Sequence, residues 1–78
     1  MYSDILKHKL KEMRELKGYT QESIAKELKV SQGTYSSWET GRKTPEIKTL
    51  LRIADYYEVE LDYLFGRDLE MNRKIKSK

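Results

Sequence analysis

The stretch from Thr20 to Gly41, TQESIAKELKVSQGTYSSWETG, places two short amphipathic helices on either side of a turn too tight for them to pack independently. Thr20 is a good N-cap, because its side-chain oxygen accepts from N–H groups that the first helical turn leaves without partners. Ile24, Ala25 and Leu28 then fall on one helical face. Lys29 and Val30 interrupt the pattern, and Ser31 offers a second N-cap. Beyond it, Tyr35 and Trp38, at i and i+3, give the second helix a narrow buried edge. Gln32, Gly33, Ser36 and Ser37 are expected opposite that edge, as a face of small uncharged polar groups. Neither a core nor an ordinary salt-bridged surface would select such a face.

The remainder of the chain is expected to supply three more helices and no strand. Ser3 can cap a first helix whose core stripe is Leu6, Leu10 and Met13, and Gly18 is placed to end it in a left-handed conformation. Thr40, Gly41, Arg42, Lys43 and Thr44 read as a loop, with Pro45 suited to the first turn of a fourth helix. Ile47, Leu50, Leu51, Ile53, Ala54 and Tyr57 cover an arc too wide for a surface helix, so this helix is predicted to be central. Val59, Leu61, Leu64 and Phe65 suggest a short fifth helix, stopped at Gly66. The fold class is all-α. Residues 1–66 form the domain and residues 67–78 a basic tail.

A chain of 78 residues supports one domain with a modest core, burying only about 60% of the surface its unfolded form exposes. The absence of cysteine excludes a disulfide framework, a thiolate nucleophile and a sulfur-ligated metal, and suits a reducing cytosol. No segment approaches the ~20 apolar residues of a membrane span. Lys7, His8 and Lys9 come too early for a secretory signal, and a cytoplasmic protein is expected. No nucleophile, base and orienting group assemble, and no glycine-rich phosphate loop is present, so enzymatic activity is not expected. His8 points away from Leu6 and Leu10 and has no second His or Cys, which makes it a solvated histidine rather than a metal ligand. No cofactor is called for.

The net charge of +3 is too small to identify a nucleic-acid binder, but its distribution is uneven. Residues 1–43 carry nine Lys/Arg against six Asp/Glu, residues 44–66 two against five, and residues 67–78 five against two. A basic amino-terminal half containing the two-helix unit can supply phosphate contacts, with the acidic middle facing away. A mixed charged surface is the alternative account of the same numbers.

Gly18-Tyr19-Thr20-Gln21, Val30-Ser31, Trp38-Glu39-x-Gly41 and Ile53-Ala54 occur together here, within a pattern running from about Leu6 to Phe65. In this the chain resembles the phage repressor and Cro-type helix-turn-helix family, also called the XRE family. The resemblance implies a compact five-helix repressor-like DNA-binding domain, with the helix-turn-helix at its second and third helices. It further implies a third helix in the major groove of double-stranded DNA and a homodimer on a two-fold symmetric operator. Gln21 matches a phosphate-contacting position of the family, at a helix amino terminus where backbone N–H groups and the dipole favour an anion. Arg14 and Glu39 match positions that pair across the first and third helices, an architectural role that leaves further guanidinium donors for a phosphate.

The residues of the third helix both support and limit that implication. Gln32 can present its amide to adenine N6 and N7, a contact of roughly 1–3 kcal/mol in base discrimination. Thr34, Ser36 and Ser37 offer hydroxyls, which donate and accept and so discriminate weakly. Gly33 departs from the family habit of a base-reading side chain; it costs about 1 kcal/mol of helix stability and permits close approach. No Arg or Lys lies between Val30 and Gly41, so guanine cannot be read bidentately by this helix, and an A·T-leaning half-site shaped by DNA deformability is expected. Thr40, Arg42 and Lys43 are further candidate phosphate contacts. Trp38 is expected in the core.

Dimerisation in the family commonly uses the region of the fifth helix, which makes Tyr56, Leu61, Tyr63 and Leu69 the candidate interface. The tail RDLEMNRKIKSK has three readings: a disordered basic arm, a dimer-forming element, or a DNA-contacting arm. Two other function classes fit the sequence. One is an antitoxin-type module that binds a partner protein while regulating its own promoter. The other is an RNA-binding protein, which would ordinarily expose an aromatic platform.

Overall fold

A computed structural model describes residues 2–66. Five helices follow in chain order: α1 (Tyr2–Leu16), α2 (Gln21–Leu28), α3 (Gln32–Thr40), α4 (Ile47–Tyr57) and α5 (Leu61–Leu64). Among the described residues there is no strand. The architecture is the all-α, five-helix arrangement that the periodicity predicts.

Local chemistry sets the ends of the helices. Thr20 Oγ1 accepts the Ser23 N–H at 3.0 Å while Ser23 Oγ accepts the Thr20 N–H at 2.9 Å, a reciprocal cap that opens α2. Ser31 Oγ accepts the Thr34 N–H at 3.0 Å and opens α3. Three helices close by one device. Gly18, Lys29 and Glu58 adopt φ of 78°, 63° and 59°, and their N–H groups turn back to the carbonyls of Glu15, Lys26 and Asp55. The residue after each, Tyr19, Val30 and Val59, donates one carbonyl further back, to Arg14, Ala25 and Ala54, and packs its side chain on the core. This six-to-one closure satisfies the last carbonyls of a helix and seals its end with an apolar contact.

The core draws from every helix: Leu6, Leu10 and Met13 of α1, Ile24, Ala25 and Leu28 of α2, Tyr35 and Trp38 of α3, Leu50, Ile53, Ala54 and Tyr57 of α4, and Leu64 of α5. The main packing pairs are α1 with α3, α2 with α3, α1 with α5 and α4 with α5. At the shared junction Tyr35 is wholly buried, its ring edge-on to Trp38 with centroids 5.8 Å apart.

Three expectations need correction. Helix α1 begins at Tyr2, ahead of the cap position expected at Ser3. Pro45 lies outside α4, one residue before its N-cap Glu46; it is buried, and with buried Leu50 it has the spacing of a hydrophobic staple. Helix α4 is not central: Leu50, Ile53, Ala54 and Tyr57 are buried, while Ile47 and Leu51 remain 61% and 48% exposed. A domain this small has too little surface to wrap a helix on all sides, so part of a wide apolar arc stays in water.

Of the three closures at Gly18, Lys29 and Glu58, that at Lys29 lies in the turn between α2 and α3. A non-glycine residue in that conformation costs about 1 kcal/mol. Lys29→Gly should therefore raise the thermal midpoint by about 4–8 °C, as read by circular dichroism. A lower midpoint would show that the lysine side chain, rather than the backbone, holds the turn.

Candidate nucleic-acid interface

One carboxylate ties the first three helices together. Arg14 Nε donates to Glu39 Oε2 at 2.7 Å and Arg14 Nη2 to Glu39 Oε1 at 3.2 Å, a fork that joins α1 to α3. Gln21 Nε2, at the start of α2, donates to the same Oε1 at 3.1 Å. Tyr35 OH, one turn before Glu39, donates to Oε2 at 2.6 Å. Arg14 Nη1 also donates to the Tyr19 carbonyl at 3.0 Å, which fixes the turn between α1 and α2.

These contacts occur almost out of water, with the Arg14 and Glu39 side chains 12% and 4% exposed. Burial pushes the Glu39 carboxyl up, but hydrogen bonds from Arg14, Tyr35 and Gln21, together with the guanidinium charge, outweigh it and hold its pKa below the usual range. The Arg14 pKa is raised by its hydrogen bond to Glu39. Burial, and then the hydrogen bond to Glu39, raise the Tyr35 pKa. Tyr57 nearby is pushed up to about 12, chiefly by burial. Outside this cluster, the phenols of Tyr19 and Tyr56 hydrogen-bond to each other and link the α1–α2 turn to α4.

With its inner edge fixed, α3 turns an uncharged side outward. Gln32, Gly33 and Thr34 are exposed and Ser36 is half-buried. A β-carbon at Gly33 would meet nothing within 4 Å, and the backbone there is helical. The fold therefore has no need of glycine at this position. Ser37 is corrected: it is 3% exposed, and its Oγ donates to the Thr34 carbonyl at 2.6 Å. Ser37 shares a helix side with Gly33, four residues earlier, but it is covered, and its hydroxyl serves the helix backbone and not the outer face.

The rim forms where α3 stops. Gly41 takes φ 83° and donates to the Trp38 carbonyl at 3.3 Å. Thr40 Oγ1 donates to the Ser37 carbonyl at 3.2 Å, and the Lys43 N–H reaches the same carbonyl at 3.2 Å. Arg42 and Lys43 are exposed, and among the described residues no carboxylate pairs with either. The structure thus brings Thr40, Arg42 and Lys43 to the carboxy-terminal end of α3. Gln21, at the start of α2, reaches the same end of α3, with its amide engaged by Glu39, the residue before Thr40.

The candidate dimer residues Tyr56, Leu61 and Tyr63 are half-buried and pack on the core, with Lys9 Nζ 4.0 Å from the centre of the Tyr63 ring. Leu69 and the rest of the tail lie outside the described residues. Among the described residues, the large apolar side chains most open to solvent are elsewhere: Leu16 at 78%, Ile47 at 61%, Leu51 at 48% and Ile5 at 39%. Sequence reasoning missed the Tyr35 hydroxyl as a partner of Glu39, although their i, i+4 spacing on one helix was the available signal.

Arg14→Met should destabilise the domain by about 3–5 kcal/mol in urea unfolding, since it leaves a buried carboxylate without its cation. A loss near the size of a surface ion pair would refute the tie. Because folding lowers the Glu39 pKa, the contribution of this carboxylate is complete above about pH 4.3 and fades as pH falls through the depressed folded value. Glu39→Gln should consequently flatten stability against pH below about pH 4.3, and an unchanged acid limb would assign the effect to other carboxylates.

The sequence profile of the helix-turn-helix family matches residues 10–64. The HTH-type transcriptional regulator ImmR of Bacillus subtilis is 38% identical over 66 residues, which cover 85% of this chain and 51% of that protein. The cryptic phage CTXphi transcriptional repressor RstR of Vibrio cholerae is 34% identical over 62 residues, 80% of this chain and 55% of its own length. An uncharacterized HTH-type transcriptional regulator of Methanocaldococcus jannaschii, MJ0272, is 38% identical over 60 residues, 77% of this chain and 91% of that protein. The chain spans about half the length of ImmR and RstR. No solved structure matches it significantly. With a profile match from α1 to α5, and with α2 and α3 joined by the capped turn described above, this chain belongs to the XRE-type helix-turn-helix family.

Proposed function

We propose that this chain is the DNA-binding domain of a cytoplasmic transcriptional repressor, two copies of which lay α3 in successive major grooves of a two-fold symmetric operator. The observation that carries this reading is the outer side of α3: open, uncharged and built on a helix whose inner edge is fixed by Trp38, Tyr35 and the Glu39 carboxylate. A solvated helix face is ordinarily laced with ion pairs, whereas a groove-facing one must match base edges. The names of ImmR, a transcriptional regulator, and RstR, a transcriptional repressor, support the regulatory sense.

Each residue then has a task. The Gln32 amide pairs with adenine N6 and N7, Gly33 admits the groove close to the helix axis, and the Thr34 and Ser36 hydroxyls adapt to whichever group they meet. Arg42, Lys43 and Thr40 hold the phosphate backbone at one end of α3. The backbone N–H groups of the first turn of α2, beginning at Gln21, add a further phosphate contact on the neighbouring helix, where the Gln21 side chain meets Glu39. The two copies pair on the side of Tyr56, Leu61 and Tyr63. Binding needs no metal or cofactor and performs no chemistry on the DNA.

Selection of duplex sequences by the purified protein should return A·T-leaning half-sites in inverted repeat, with centres about 34–36 Å apart. A strict G-rich half-site, or enrichment without two-fold symmetry, would defeat the reading. On the selected duplex, Gln32→Ala should lose about 1–3 kcal/mol of discrimination at one A·T pair. Gly33→Ala should stabilise the fold by about 1 kcal/mol and still weaken binding. A Gly33→Ala protein that gained stability and bound equally well would remove Gly33 from the interface.

A further inference from the structure

Helix α1 carries a cation to the end of α3 that neither the sequence pattern nor the proposed rim includes. Lys7 lies two turns before Arg14 on the side of α1 that faces α3, and its stem runs along the backbone of Gly41. A β-carbon at Gly41 would come within 3.2 Å of Lys7 Cδ, 3.6 Å of Nζ and 3.9 Å of Cε. Glycine suits this position for its φ of 83°, and a β-carbon would crowd the lysine stem, which would have to shift by a few tenths of an ångström. The ammonium so held stands beside Gly41, the residue immediately before Arg42 and Lys43. The last turn of α3 has no basic residue of its own, so this end of the helix takes its positive charge from α1 and from the following loop.

In the free protein Lys7 Nζ lies 3.7 Å from Asp4 Oδ1, with the two side chains 29% and 67% exposed. That separation is well beyond the roughly 2.7–2.9 Å of a charge-assisted hydrogen bond. A partly exposed pair of this kind contributes little and yields to a competing anion. Lys9, two residues along the same helix, is committed elsewhere, over the Tyr63 ring.

We infer that Lys7 is a third phosphate-binding cation of the interface, joining Arg42 and Lys43 around the carboxy-terminal end of α3 on one strand of the duplex backbone. The inference rests on the proposed DNA binding and extends it from the helix-turn-helix to α1. Packing of the lysine stem on Gly41 removes rotamer freedom before the duplex arrives, which lowers the entropy lost on contact.

Phosphate contacts act on any sequence, so the test can use a labelled mixed-sequence duplex, with affinity followed by fluorescence anisotropy across a salt series. Lys7→Gln and Lys7→Met should each flatten the slope of log affinity against log salt by about 0.9, as should Arg42→Ala, with thermal midpoints recorded for every variant. Lys7→Arg should restore the slope, and Lys9→Gln should leave it unchanged. A purely structural lysine would shift the midpoint without moving the slope. An unchanged slope in both Lys7 variants would overturn the inference, and so would equal flattening by Lys9→Gln. If the wild-type protein showed no salt-dependent binding, the proposed function would fall together with the inference. Wild-type binding with an indifferent Lys7 would remove this residue alone.

Discussion

Four donor groups converge on the two oxygens of Glu39, and the placement of α3 depends on them. Two come from Arg14 in α1, one from Gln21 in α2 and one from Tyr35 within α3 itself. A carboxylate buried to this degree would favour protonation if alone, and a guanidinium without its partner would be equally costly. Each is tolerable because the other is present, and they meet only when the three helices are in register. The pair thus gives the domain directional control that Tyr35, Trp38 and the aliphatic core cannot, since apolar packing has little angular preference.

Around that tie, a small core is supplemented by well-made helix ends. The reciprocal Thr20–Ser23 cap, the Ser31 cap and the three left-handed closures at Gly18, Lys29 and Glu58 satisfy backbone groups that short helices leave in large proportion. Short helices are marginal on their own. Helices of eight and nine residues, such as α2 and α3, persist because their ends are satisfied and their apolar edges are buried.

Much of this was legible in the sequence, and the misses have physical causes. Thr20, Ser31 and Gly18 announce helix boundaries through local chemistry, which needs no knowledge of the fold. Tyr35 and Trp38 announce a buried edge through spacing alone. Pro45 misled because a fixed φ suits both the first turn of a helix and the position before its N-cap, and only the chain path separates the two. The arc of Ile47 and Leu51 promised a central helix, yet how much of such an arc is covered depends on how many neighbours the chain can afford. Ser37 was placed on the outer face because its helical angle sets it nearly opposite Tyr35, and that angle does not show the loop after α3 returning its Lys43 N–H to the Ser37 carbonyl. Lys7 gave no signal, since nothing in the spacing of α1 tells where a loop some thirty residues later will cross it.

Gly33 separates two properties that proteins usually have to change together. Space is open around its missing β-carbon, and the backbone is one that any residue adopts. A single substitution there can alter the outer surface of α3 while Tyr35, Trp38 and the Glu39 cluster stay as they are. Descendants of this chain can therefore acquire new side chains at the centre of that surface without first surviving a less stable intermediate. The domain is, at this one residue, a scaffold whose contact surface can diverge faster than its fold.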